Sequence, residues 1–181
     1  MRESLKQAGK PRGSMNVGAK FTIRMAEAED WEDAITLAWN TFLRFEAEEY
    51  GQRGTDSFRD FVSDNKLKRL FLMGRYRMIV ALDQTSIIGM ITLRSGNHIS
   101  LLFVDERYHR KGIGKALVMA IGNLLMKESV FDTMTVDASP YAVDFYKRIG
   151  FRILGQERES DGIRYTPMKI YMDGDGSERF F

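Results

Sequence analysis

This sequence predicts a single mixed α/β (α+β) domain in which helices flank a mostly antiparallel sheet. Three observations carry that expectation. At 181 residues the chain is long enough for one domain with a proper core, and its 44% hydrophobic and 29% charged composition is that of a globular protein. Strand-like and helix-like runs follow one another in the order β-α-α-β-β-β-α-β-α-β-β. Finally, Met78 to Leu82 and Ile87 to Leu93 are joined around only Asp83-Gln84-Thr85-Ser86, a connection short enough for a hairpin and too short for a parallel crossover.

Taken in order, residues 1–19 are polar, basic and rich in small side chains, and read as a flexible leader. Phe21, Ile23 and Met25 alternate in a first strand. Glu27 to Tyr50 reads as a long helix with Ile35, Ala38, Trp39, Phe42 and Phe45 at helical spacing, broken over Gly51 to Gly54. A weaker helix, Asp56 to Leu70, carries Phe58, Phe61 and Leu67. The hairpin follows, then a turn at Ser95-Gly96-Asn97. Ile99 to Val104 is almost wholly apolar, as a strand buried on both faces should be. Asp105 to Lys111 is a polar turn, and Gly112-Ile113-Gly114 opens a helix reaching Met126, with Leu117, Val118, Ile121, Leu124 and Leu125 on its apolar side. Thr133 to Val136 is a short strand. Ser139-Pro140 starts a helix from Tyr141 to Ile149, with proline early, where its missing N–H is not needed. Arg152 to Gln156 and Tyr165 to Met172 are the last strands, with a turn at Ser160-Asp161-Gly162, and 173–181 reads as a mobile tail. The folded domain is therefore expected over residues 20–172.

Composition narrows the chemistry. Without cysteine there can be no disulfide, thiolate metal site or cysteine acyl-enzyme, and His98 and His109 alone make a poor basis for a metal centre, so none is expected. No apolar run approaches the length of a membrane span and no signal-peptide pattern is present, so a soluble cytoplasmic protein without a membrane partner is expected. The net charge of +2 conceals an asymmetry. Residues 1–20 hold five cations against one acid, a surplus of four, so the remaining 161 residues carry a net −2. The basic character belongs to the leader and argues against nucleic acid as partner.

The junction between strand and helix at Val104 to Lys115 points to an anion. A helix start presents N–H groups without intrahelical partners and a partial positive charge. Glycines let a ligand approach the backbone. Arg107, Arg110, Lys111 and Lys115 add charge, and no acid stands between Glu106 and Glu128. An ordinary connection with a solvated basic turn would look similar. A Walker loop is absent, because Ala116 follows Gly114-Lys115, and so is a dinucleotide fingerprint, because Leu117 stands where its third glycine belongs.

His109-Arg110-Lys111-Gly112-Ile113-Gly114, after an apolar strand ending in valine, resembles the coenzyme A pyrophosphate loop of the GNAT superfamily of N-acetyltransferases, with His109 where Gln or Arg is usual. A second stretch, Val136-Asp137-Ala138-Ser139-Pro140-Tyr141-Ala142-Val143-Asp144-Phe145-Tyr146-Lys147-Arg148-Ile149-Gly150-Phe151, is similar to that family's Tyr-containing motif ending in Gly-Phe. The resemblance covers roughly Phe21 to Met172. It implies acetyl transfer from acetyl-coenzyme A to a primary amine, by direct attack in a ternary complex. It further implies a coenzyme arm along Leu102, Phe103 and Val104, a pyrophosphate over His109, Arg110, Lys111, Gly112, Ile113, Gly114 and Lys115, and a coenzyme contact at Ser139, which could equally cap a helix.

The same resemblance places Tyr146 as the general acid; the alternative is a helical tyrosine packed on the sheet. His98, on the central strand where several relatives carry a glutamate, is the candidate base, or else marks the strand's entry turn. Glu46, Glu48 and Glu49 with Tyr50 form an acidic, aromatic-edged mouth for a cationic amine, or a solvated helix end. Polyamine, aminoglycoside, amino acid and protein amine all remain open as acceptors. A non-catalytic acyl-coenzyme A sensor on the same fold is the alternative function, and exposed strand edges leave room for a homodimer.

Overall fold

The computed structural model describes Met15–Asn16, 21–128 and 130–172. The leader expected over 1–19 lies outside the described residues apart from Met15–Asn16, and so does the tail expected over 173–181. The elements are β1 (Met15–Asn16), β2 (Thr22–Met25), α1 (Trp31–Phe45), α2 (Ala47–Val62), α3 (Asn65–Leu72), β3 (Arg77–Asp83), β4 (Ser86–Arg94), β5 (His98–Val104), α4 (Ile113–Glu128), β6 (Thr133–Ala138), α5 (Val143–Arg148), β7 (Arg152–Ile153), β8 (Arg158–Ser160) and β9 (Ile163–Tyr171). The strands form one sheet in the order β1-β2-β3-β4-β5-β6-β9-β7, with β8 paired to β9. Every described pairing is antiparallel except β5 with β6. The mixed, mostly antiparallel sheet expected from the sequence is the one observed.

Local chemistry explains where the elements differ from expectation. The first helix ends at Phe45, because Glu46 leaves helical geometry at φ −124°, ψ −29°. Gly51, at φ +65° and ψ −168°, interrupts α2 within the break expected over Gly51 to Gly54, and the helical region after it is two helices. Asp64 accepts the Lys66 N–H at 2.8 Å and so caps a separate α3, an Asx cap that ends one helix and begins another. The expected strand from Arg152 narrows to two residues, and Arg158–Ser160 pairs separately across the turn at Asp161 and Gly162.

Two apolar clusters occupy the two faces of the sheet. Trp31, Ala34, Ala38 and Phe42 of α1 pack with Leu67 and Phe71 of α3 against Met78, Val80, Met90, Leu101 and Phe103. Leu117, Val118, Ile121 and Leu125 of α4 pack with Tyr146, Ile149 and Phe151 against Ile79, Ile91, Ile99 and Val136. Because both faces are covered, the central strands read as unbroken apolar runs rather than alternating ones. Among the described residues no helix is long and apolar enough to cross a membrane.

One irregularity in β5 sets which of its side chains face which cluster. Leu93 pairs with Ile99 and Thr92 with Leu101, so Ser100 is an extra residue, a β-bulge. The buried Thr92 hydroxyl accepts the Leu101 N–H at 3.0 Å, and Tyr76 Oη lies 2.7 Å from Thr92 Oγ1 and 3.1 Å from Ser100 Oγ. The bulge changes the phase of the strand. Ile99, Leu102 and Val104 pack with the α4–α5 cluster, whereas Leu101 and Phe103 pack with the α1–α3 cluster.

Candidate active site

The parallel pair β5–β6 is held at one end only. His98 pairs with Thr135 and Ile99 with Val136, and the ladder then stops. Asp137 and Ala138 remain paired with β9, so the two strands part beyond Ile99 and leave the far half of β5 with an unladdered edge. A cleft of about 780 Å³ opens there. Leu102, Phe103 and Val104 of β5 line it, as do Arg110, Gly112, Ile113, Gly114 and Lys115 of the turn into α4, and Tyr146 of α5. The Phe45 ring at the end of α1 also lines it, 5.0 Å from the His109 ring and 5.4 Å from Tyr141. His109 Nε2 lies 2.7 Å from the Val104 carbonyl oxygen. A carbonyl only accepts, so Nε2 carries the proton and His109 ties the turn back to the strand end.

The turn into α4 presents an open helix start to the cleft. Arg110 and Gly112 both take left-handed conformations, φ +59° and +79°. A side chain at Gly112 would meet nothing within 4 Å, so glycine is there for its backbone conformation and leaves that face open. The first bond into the helix runs from Ala116 N–H to Gly112 O at 3.0 Å, and the N–H groups of Ile113 and Gly114 precede it. The cleft volume, the open helix start and the cations Arg110 and Lys115 fit a pyrophosphate-bearing ligand with an extended arm along β5.

Not every residue singled out along the chain lines the cleft. Gly114 lines the cleft and also serves packing, because a side chain there would stand 3.2 Å from the Phe145 ring. Arg107 pairs with Asp105, at 3.0 Å and 2.7 Å, and faces away from the cleft. The Lys111 ammonium lies 4.8 Å from the Tyr108 ring centre and is not among the lining residues. Ser139 lines a second, smaller hollow instead of the cleft, and its carbonyl accepts the Ala142 and Val143 N–H groups at 2.8 Å and 3.1 Å, so the turn into α5 starts on its backbone.

The smaller hollow holds about 150 Å³. Phe42, Tyr50 and Phe58 line it from α1 and α2, Ser139 from the β6–α5 turn, and Arg164 and Tyr165 from β9. Helix α2 is fastened over it. The Tyr50 hydroxyl donates to the Arg164 carbonyl at 3.1 Å, and Arg164 pairs with Glu49 at 2.6 Å. Gly54 lies so close to Gly162 that a side chain would stand 2.5 Å from the Gly162 carbonyl oxygen. Cleft and hollow share Glu46, Leu102, Phe103, Ala142 and Tyr146.

Tyr146 is 3% exposed, and burial, then the nearby Glu46 carboxylate, push its phenol far above the ordinary value, so it is a neutral hydrogen-bond donor at any working pH. Burial raises the Glu46 carboxyl, and the Ser139 and Tyr50 hydroxyls facing it pull it partly back. The acidic mouth expected from Glu46, Glu48 and Glu49 thus divides. Glu46 turns inward, Glu49 is engaged by Arg164, and Glu48 is exposed. His98 is not brought to either space. Nδ1 lies 2.9 Å from Thr135 Oγ1 and Nε2 3.1 Å from Arg94, with Asp137 at 3.6 Å, and burial together with the Arg94 charge lowers its pKa. Among the described residues no cluster of three His, Asp or Glu stands ready for a metal ion. Sequence reasoning missed Phe45 and Tyr141 as lining residues and the inward turn of Glu46. The signal available was that Phe42 and Phe45, both on the buried stripe, flank the position that Glu46 continues at i+4.

Comparison with known proteins agrees with this geometry. The profile of the Acetyltransferase (GNAT) domain matches residues 46–172. The peptidyl-lysine N-acetyltransferase YjaB of Salmonella typhimurium is 29% identical over 147 residues, 78% of this chain and 90% of the relative. The PaiA N-acetyltransferase of Thermoplasma acidophilum, solved in complex with coenzyme A, superposes with a TM-score of 0.71 at 20% identity over 84% of this chain and 99% of that one. A GCN5-related N-acetyltransferase from Rhodopseudomonas palustris gives 0.73 at 21% identity over 88% and 99%. The chain belongs to the GNAT acetyltransferase family, and its activity is transfer of an acetyl group from acetyl-coenzyme A to an amine.

Proposed function

We propose that the acceptor is the side-chain amine of a lysine presented by a peptide or protein, and that it attacks directly within a ternary complex. The observation that carries this reading is the meeting of two spaces at Tyr146: a large cleft with a basic helix start, and a small aromatic hollow with an inward carboxylate. The hollow suits a narrow alkylammonium better than a bulky polycyclic amine, and the name of the YjaB relative points the same way.

In this reading Arg110, Lys115 and the N–H groups of Ile113 and Gly114 hold the coenzyme's phosphates, and the free edge of Leu102 and Phe103 holds its extended arm. Bound acetyl-coenzyme A supplies an activated thioester whose sulfur leaves with a thiol pKa of about 8.5. Tyr146 donates a hydrogen bond where that sulfur's charge develops, and its raised pKa keeps the donor proton in place until then. The apolar walls of Phe42, Phe58 and Phe103 keep water from competing with the amine.

A thermal melt with acetyl-coenzyme A, followed by thiol release on lysine peptides and on free amines, tests the proposal. At about a hundred times Kd, binding adds roughly 2.7 kcal/mol, a rise of roughly 5–10 °C for a chain of this size. Thiol release faster on lysine peptides than on spermidine, aminoglycosides or free amino acids supports the acceptor. A clear melt shift with no turnover on any amine would leave the sensor function in its place.

A further inference from the structure

We propose that Glu46, at the break between α1 and α2, is the general base that takes the proton from the acceptor ammonium, so that the base of this enzyme comes from a helix junction and not from the central strand. The inference rests on the N-acetyltransferase reading of the site.

The geometry begins with the backbone. Glu46 N–H still bonds Phe42 O at 2.9 Å, closing the last turn of α1, but its own φ and ψ have left the helix. A new helix then starts on its carbonyl, which accepts the N–H groups of Glu49 at 3.1 Å and Tyr50 at 3.2 Å. The side chain at such a break is aimed between two helices. Here it lines both the coenzyme cleft and the acceptor hollow, as Tyr146 does. The surrounding groups leave the role to Glu46. From α2, Glu49 is held by Arg164 and Tyr50 bonds the Arg164 carbonyl. From β6, Asp137 lines the hollow but is engaged by Arg94 and His98. From β5 come the apolar Ile99, Leu101, Leu102 and Phe103 with Ser100, whose hydroxyl accepts from Tyr76 at 3.1 Å, and from α5 the neutral Tyr146, with Asp144 and Arg148 lining the cleft but not the hollow.

The proton inventory closes. An ammonium, with a pKa of about 10.4, must lose a proton before its nitrogen can attack. Glu46 takes that proton, and burial narrows the gap by raising the carboxyl and lowering the ammonium. The nitrogen lone pair forms the N–C bond, the C–S bond breaks, and its electron pair goes to sulfur. Tyr146 gives sulfur a proton and regains one from the nitrogen as the amide forms. Ammonium and thioester become amide, thiol and one proton, which Glu46 returns to solvent.

The test is Glu46→Gln, with Ser139→Ala beside it. E46Q should melt as wild type does, keep the full acetyl-coenzyme A shift, and lose roughly 10²–10⁴-fold in kcat/KM together with the acid limb of the pH profile. S139A removes a hydroxyl that pulls the Glu46 pKa down, so the acid limb of kcat/KM, and the carboxyl titration of Glu46 followed by 13C NMR in the free protein, should both move to higher pH. E46Q with wild-type kcat/KM overturns the proposal, and so does a raised KM with an unmoved acid limb, which would make Glu46 an anchor only. Should E46Q not fold, an unmoved limb and titration in S139A overturn it equally. Wild-type protein that releases no thiol on any amine removes the enzyme reading itself, a result distinguishable from all of these.

Discussion

The two ends of β5 belong to one strand and have opposite fates. At the His98 end the strand is laddered on both sides, to Arg94 of β4 and Thr135 of β6, and the imidazole is absorbed into a polar cluster with Thr135, Arg94 and Asp137. At the Val104 end the β6 side is open, and Leu102 and Phe103 border both the cleft and the hollow. A strand paired on both sides offers its backbone to nothing else; one released from a neighbour has N–H and C=O groups to give a ligand. The proposed site therefore lies where pairing ends, and a histidine only six residues away in sequence lines neither space.

Breaking the open end should have the larger effects. Tyr146→Phe removes the donor at the junction and leaves the ring packing on Phe145 and Phe151; turnover is expected to fall by about a hundredfold or more while the acetyl-coenzyme A melt shift is retained. An unchanged kcat would reduce Tyr146 to a packing residue. Gly112→Val forces a β-branched side chain into a left-handed backbone, at a cost of roughly 1–2 kcal/mol. That strain falls on the loop proposed to hold phosphate, so acetyl-coenzyme A affinity measured by calorimetry should weaken by about tenfold.

The paired end should respond in stability and not in rate. His98→Ala should leave kcat/KM within about twofold and cost about 1 kcal/mol in a urea melt, through the lost bonds to Thr135 and Arg94. A large drop in rate would return His98 to the machinery. The smallest effect is its pH signature. With the folded pKa lowered from 6.5, the stability from neutral His98 is present above that value and is lost as the pH falls through the lowered one. Urea melts at pH 8, 6 and 5 should show this loss in wild type and less of it in the alanine variant.

Much of this was legible along the chain. The order of elements, the hairpin, the apolar central strand and the glycine-bearing turn into α4 all follow from local patterns with periods of two or 3.6 residues. The cleft residues from Leu102 to Val104, from Arg110 to Lys115 and at Tyr146 lie on such elements, and motif spacing reaches them. Lys111 and Arg107 could not be sorted from Arg110 in this way, because one side chain was drawn to the Tyr108 ring and the other to Asp105 by geometry within a single turn.

What the sequence by itself determined is the alternation of strands and helices, the apolar faces that must be buried, and the helix start suited to an anion; these depend on neighbours within a turn or a strand repeat. Only the tertiary structure decided where β5 parts from β6, that His98 falls on the closed side, and that Glu46 points inward. A bulge held by Thr92 and Tyr76, and a helix pinned through Tyr50 and Glu49 to Arg164, join residues far apart in the chain. No local period encodes such contacts: they exist only once both faces of the sheet have been packed.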